Sequence, residues 1–241
     1  MNWNPFATIF FLFACVLCHV SIGQAQEAPE KKPVARFTVW GNWSGKEFYI
    51  RDPEKPDKAK DAFIKVDLLD LGYSAEVAFS RAQPIELCTP EQVEGETIWQ
   101  PVIKVAIPAD IRQPLVMIMP DEKAEPGIKI YDLDPATFPY GSYQIINMTE
   151  MRLFAKLDDT GLLLKPGEHG HFKGTAQSTL NVWLRVAAEK PDKDAQVVYS
   201  SMMKNRNDKR MFMFFSTPKD DPDAEVAVRT LVDFAPLPAQ P

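Results

Sequence analysis

Thr179-Leu-Asn-Val-Trp-Leu-Arg-Val186 puts Leu180, Val182, Leu184 and Val186 at every second position. Successive side chains of a strand point to opposite faces, so this stretch reads as a half-buried β-strand. The same alternation recurs on both sides of it, at 142–148, 152–157, 161–165, 170–173, 196–202, 210–216 and 225–234. It appears again at 128–131 in the second half, and in the first half at 35–40, 47–51, 62–68, 75–79 and 97–107. Leu115-Val-Met-Ile-Met119 is apolar on both faces, the pattern of a central buried strand. Pro101 removes a ladder donor from 97–107, which predicts an edge strand or a bulge there.

These runs amount to roughly fourteen strands with turns about every 8–12 residues, the spacing of an all-β sandwich or barrel. Parallel α/β folds need helical crossovers of about a dozen residues, and the sequence has no such segment. The fold class expected is an all-β antiparallel β-sandwich, as two tandem units of immunoglobulin-like or jelly-roll type. One large sandwich is the alternative. No repeat relates the two halves in sequence, and antibody-type Cys…Trp…Cys spacing is missing. The charged run Pro120-Asp-Glu-Lys-Ala-Glu-Pro126 is taken as the boundary.

The chain has 241 residues, 45% of them hydrophobic and 25% charged, which excludes a disordered or fibrous protein. Its 27 basic and 33 acidic residues give a net charge of −6 and no basic footprint for nucleic acid. With Gly 11 and Pro 21, its turns are set by proline.

Residues 1–25 lack Asp, Glu, Lys and Arg, and residues 6–20 form an apolar run of about fifteen. That length suits the core of a secretory signal and falls short of the ~20 residues that span a bilayer. Gly23 and Ala25 are small residues two apart, so cleavage is expected after Ala25, giving a secreted or periplasmic product. Two other readings stay open: a retained signal anchor, since no Lys or Arg precedes the run, and lipidation at Cys15. No later apolar run approaches that length, so no integral membrane segment is expected after cleavage. The expected organisation is a signal peptide over 1–25, a linker over 26–33, an N-terminal β-sandwich over 34–120, a C-terminal β-sandwich over 127–235 and a disordered tail over 236–241.

Phe138-Pro-Tyr-Gly-Ser-Tyr-Gln-Ile-Ile-Asn-Met-Thr149, Leu164-Lys-Pro-Gly167, Val198-Tyr-Ser-Ser201 and Val228-Arg-Thr-Leu-Val-Asp233 resemble a pattern found in uncharacterised exported proteins of Gram-negative bacteria. The resemblance covers residues 127–235. It implies an exported β-sandwich and no assigned activity.

Candidate chemistry is sparse. His169 and His171 are the only histidines after residue 25, and i,i+2 spacing on a strand puts them on one face. With Glu168 they are the candidate zinc or copper ligands, against the plainer reading of a polar hairpin turn. Met117/Met119 and Met211/Met213 are thioether pairs in apolar runs, where methionine fills core gaps. The acidic run 219–225 and the basic stretch 204–210 read as solvated turns. Cys88 is the single cysteine beyond residue 25, so it has no intramolecular partner there and reads as a small apolar residue. Aromatic faces pack on sugar rings, which makes Trp43 and Tyr49 the candidate ligand-binding residues, with Trp40 and Trp99 read as core. Asn42-Trp-Ser44 and Asn147-Met-Thr149 match the glycan acceptor pattern.

The chain has no Gly-x-Ser-x-Gly, no His-Glu-x-x-His and no phosphate loop. The function expected is an exported, non-catalytic binding or accessory protein without a cofactor, whose partner is a protein or glycan of the cell envelope. The alternatives are a structural envelope component and a metal-handling periplasmic protein.

Overall fold

The computed structural model describes residues 32–237 except 42, 44–45, 57–60, 122–123, 174–180, 191–193 and 219–225. The signal peptide with its Ala25 cleavage point, most of the linker, the end of the tail, the acidic run 219–225, the Asn42 acceptor and Leu180 lie outside these residues. Lys32–Pro241 forms one compact unit, and it holds every strand and core cluster described below.

The described residues contain strands and no α-helix. In chain order the strands are β1 (Val34–Val39), β2 (Phe48–Arg51), β3 (Phe63–Val66), β4 (Val77–Ala78), β5 (Ile85–Val93), β6 (Glu96–Val105), β7 (Pro114–Met119) and β8 (Gly127–Asp132). They continue as β9 (Tyr143–Met148), β10 (Arg152–Leu157), β11 (Thr160–Leu164), β12 (His169–Phe172), β13 (Asn181–Glu189), β14 (Gln196–Lys204), β15 (Lys209–Ser216) and β16 (Ala227–Phe234). They build four four-stranded sheets, ordered β4-β1-β7-β8, β3-β2-β5-β6, β12-β9-β15-β16 and β11-β10-β13-β14. The first two sheets form one sandwich and the last two form the other, so the tandem all-β expectation holds.

The boundary between the sandwiches is not where the charged run suggested. β8 pairs antiparallel with β7 along its whole length, from Pro114↔Asp132 to Met119↔Gly127. β7 and β8 therefore form a hairpin, and residues 127–132 belong to the N-terminal sandwich, not the C-terminal one. The junction lies at 133–142, where the Asp134 carboxylate accepts from Ala136 N–H (2.9 Å) and the Asp134 carbonyl from Phe138 N–H (2.8 Å). A short charged segment between two apolar strands reads equally well as a linker or a hairpin loop. Only the pairing partner distinguishes them.

β5 has no counterpart among the expected strands. Ile85-Glu-Leu alternates, but Pro90-Glu-Gln-Val93 is polar and exposed because beyond Cys88 it pairs with β6 alone. This part of the hairpin is a two-stranded arm that turns at Glu94 and Gly95, both at positive φ (51° and 85°), as a type I′ turn requires. β6 is both an edge strand and bulged, as Pro101 suggested.

The two sandwiches repeat one topology. Renumbering β9–β16 as β1–β8 reproduces both sheet orders, and each half contains one parallel pair at the same place, β1 with β7 and β9 with β15. The β5–β6 ladder slips by one residue at Leu87/Cys88, leaving Val102 unpaired; the β13–β14 ladder slips in the same way at Val186/Ala187, leaving Val198 unpaired. A bulge of this kind bends the strand and sets its local twist.

Three cores follow from strand alternation. Phe37, Phe48, Leu87 and Ile118 lie inside the N-terminal sandwich, and Ile145, Leu153, Leu184 and Phe215 inside the C-terminal one. Val182, Leu184 and Val186 point inward and Arg185 outward, as the opening pattern requires. The third core lies between the sandwiches, where Leu115, Met117 and Tyr131 meet Ile146, Phe212, Phe214 and Leu231. The sheets containing β1 and β9 are thus apolar on both faces, and the four sheets stack as one body. Ion pairs tie the rim of this contact, Arg229–Asp70 at 2.6 Å and Arg36–Asp233 at 3.4 Å.

Candidate functional site

The two sheets at the ends of the stack, those of β2 and β10, each turn one face to solvent. On the N-terminal one, β2 directs Phe48 and Ile50 inward and Tyr49 and Arg51 outward. Phe63 on β3 stands opposite Arg51, and Tyr49 stands opposite Cys88 on β5. Trp99 on the edge strand β6 reaches back over β5 and stacks on Phe63, with ring centroids 4.2 Å apart and planes 15° apart. It also meets Tyr49 at 4.8 Å and 56°.

Beside this cluster lies an open groove of about 560 Å³, within the usual size range of small-ligand sites. Its walls combine Phe63, Phe79 and Trp99 with Arg51, Gln83 and Glu86, and Cys88 lies at its base. Apolar ring faces beside a few hydrogen-bonding groups suit a flat or extended ligand held by stacking. Burial, then the Glu86 carboxylate, pushes the Cys88 thiol up, with Lys104 opposing. Cys88 is therefore held as a neutral thiol and not as an activated nucleophile. Tyr49 donates its hydroxyl to Glu47 (3.1 Å), and Glu47 also takes Lys65 (2.6 Å), which lowers the Glu47 carboxyl.

The structure separates the two aromatic residues singled out in the sequence. Tyr49 belongs to the groove cluster. Trp43 packs on Phe48 (4.7 Å, 48°) at the margin of the N-terminal core, on the opposite side of β2 from Tyr49. Trp99, read as core, lies instead on the outward face, because the β6 bulge shifts the alternation that its neighbours would otherwise impose. Trp40 is half-buried between the sandwiches, edge-on to Phe214 at 5.4 Å and under Arg229 at 4.7 Å. Phe63 was not singled out; its signal was one aromatic residue out of phase with Ala62, Ile64 and Val66.

His169 and His171 do share a face of the edge strand β12, opposite Ile146 and Gln144. Glu168 is committed elsewhere. Its carboxylate accepts from Lys165 N–H (2.9 Å) and its own N–H donates to the Lys165 carbonyl (3.0 Å), closing the turn reciprocally. His169 lies edge-on to Tyr131 at 5.8 Å. Burial, with Lys129 and His171 nearby, holds its imidazole below the ordinary histidine value, which disfavours its protonated form. Among the described residues no three His, Cys, Asp or Glu side chains converge in a metal-binding group. Met117 and Met213 are buried in apolar cores, as packing residues are.

Two polar motifs prove to be structural. Asn147 is fully buried; its amide donates to the carbonyls of Met151 (2.7 Å) and Leu164 (3.2 Å) and its oxygen accepts from Thr149 N–H (3.0 Å), so it is not presented as a glycan acceptor. In the basic stretch 204–210, Arg206 pairs with Asp208 and Arg210 is buried against Asp233, which leaves a less cationic tip than the sequence implied. Compared with known proteins, the chain matches no protein-family model and no curated protein.

Proposed function

We propose that this is an exported, non-catalytic binding protein that takes a glycan or an extended protein segment of the cell envelope on the outer face of its N-terminal sandwich. The observation that carries the reading is the Tyr49–Trp99–Phe63 cluster beside the groove. Three aromatic rings on a solvent-facing sheet, next to Arg51 and Glu86, form a stacking platform with polar groups for orientation. The apolar run at 6–20 and the small residues Gly23 and Ala25 support export. In a Gram-negative host the accumulated protein is expected to begin at Gln26. N-terminal sequencing that finds Met1 retained would favour the signal anchor.

The groove is tested by titrating soluble peptidoglycan fragments, envelope oligosaccharides and proline-rich peptides while following tryptophan fluorescence. One class should bind saturably. Trp99→Ala should weaken that binding about tenfold or more, since an aromatic anchor commonly contributes about 2 kcal/mol. Trp43→Ala should leave it unchanged. Equal affinities for the parent and Trp99→Ala, or no binding by any class, would remove the groove as the site.

A further inference from the structure

The opposite end of the stack carries a different surface. The internal repeat makes the solvent face of β11-β10-β13-β14 the counterpart of the groove face, and the shared bulge aligns the two residue by residue. The row Lys65–Tyr49–Cys88–Pro101 of the first sandwich corresponds to Leu163–Phe154–Ala187–Val197 in the second. The second row is apolar across all four strands, a width of about 14 Å at the usual strand spacing. Next to it runs Gly161–Lys156–Arg185–Ser200, and beyond that stand Trp183 and Met202, opposite each other.

These side chains are open to water: Leu163 is 49% exposed, Phe154 36%, Val197 66%, Trp183 44% and Met202 59%. Single exposed apolar residues are ordinary, but five on one sheet face make a patch that calls for a partner. The charges on this face and its rim are Arg152, Lys156, Arg185 and Lys204 against three carboxylates: Glu189, which pairs with Arg152 at 3.0 Å, Asp159, 3.8 Å from Lys156, and Asp158, which accepts from Trp183 N–H at 2.9 Å. Two of the guanidinium groups lie over the aromatic rings, Arg152 over Phe154 at 5.6 Å and Arg185 over Trp183 at 5.3 Å. Arg185 and Lys204 leave the face slightly positive in a chain whose net charge is −6.

We propose that this face docks on an anionic lipid surface. A sheet face with Trp, Phe, Leu, Val and Met interleaved with Lys and Arg suits the headgroup region of a bilayer. The apolar tips enter the interface and the cations meet lipid phosphates. A sugar platform would not set aliphatic side chains on three of four strands in one row. Docked this way, the protein holds its groove face away from the bilayer, about 30 Å off by three sheet spacings of ~10 Å. The inference is independent of what the groove binds.

The test uses the chain from Gln26 onward, which keeps the whole compact unit and omits the apolar run at 6–20 that would itself enter lipid. It is sedimented with vesicles of phosphatidylcholine alone and of phosphatidylcholine mixed with phosphatidylglycerol. Binding is expected on the mixed vesicles, with little on the neutral ones, and it should fall as salt is raised. Lys156→Glu with Arg185→Glu should weaken it tenfold or more, and Trp183→Ser with Met202→Ser should weaken it with little change in salt dependence. All four side chains are exposed, so both variants should melt close to the parent. No retention by the mixed vesicles, equal retention by the neutral ones, or retention unaffected by the charge reversal would each overturn the proposal. The first of these would point to an acidic protein as the partner.

Discussion

Replacing Asp233 by alanine is expected to destabilise the protein by about 3–5 kcal/mol, the usual cost of leaving a buried charge without its partner. Asp233 lies on β16 and its carboxylate receives the Arg210 guanidinium at 2.8 Å and 2.9 Å. The Arg210 side chain is only 3% exposed and that of Asp233 7%. Arg210 also donates to the Phe138 carbonyl at 2.6 Å and lies over the Tyr140 ring at 4.6 Å. Removing the carboxylate leaves the guanidinium between the sandwiches with one carbonyl and two ring faces. A neutral pair at the same two positions supplies the control. The double change Arg210→Leu with Asp233→Val should therefore cost less than Asp233→Ala alone, because no unpaired ion is left. Urea unfolding of the parent, both single variants and the double variant measures this. Additive losses would mean that the pair acts through packing and not as a buried ion pair.

Phe214→Ala is expected to cost about 3–5 kcal/mol, the range for deleting a large buried aromatic side chain. Phe214 is fully buried on β15, at the centre of the core shared by the sandwiches, 5.4 Å from Trp40 and 6.1 Å from Tyr131 by ring centroid. Its neighbours come from both halves, so they cannot collapse on the cavity without moving two sandwiches. The loss should appear as a lower midpoint of one cooperative transition, with far-UV circular dichroism and tryptophan fluorescence coinciding. A variant in which the N-terminal sandwich melts at its parental midpoint, with only the C-terminal one shifted, would show that the third core does not couple them.

Particular residues show what could be read before folding. Val182, Leu184 and Val186 against Arg185 specify a strand and its buried face by period alone, since a strand offers only two faces. Leu115–Met119 announces a strand covered on both sides, and β7 lies inside a sheet that is. Where a segment is covered on neither side the signal fades. Thr89–Val93 of β5 alternates little because it has one neighbouring strand and water on both faces.

The candidate site was harder to read than the fold. Tyr49 was legible as an aromatic residue on a half-exposed strand. That Trp99 stacks on Phe63, 36 residues away in the chain, depends on β6 lying in the same sheet as β3, three strands across, and on the bulge that leaves Val102 unpaired. The apolar row Leu163–Phe154–Ala187–Val197 comes from four strands whose order no local pattern encodes.

By itself, then, the sequence determined that this is an all-β protein, that its strands present apolar faces, and that an apolar run at 6–20 precedes them. These are local properties, expressed within a few residues by side-chain period and composition. Tertiary structure alone decided that residues 127–132 join the N-terminal sandwich, that the halves repeat one topology, that Arg210 is buried on Asp233, and that one end of the stack is an aromatic groove and the other a cationic apolar face. Each of these follows from which strands pair and in what register, and pairing is settled by the summed burial of faces far apart in the chain.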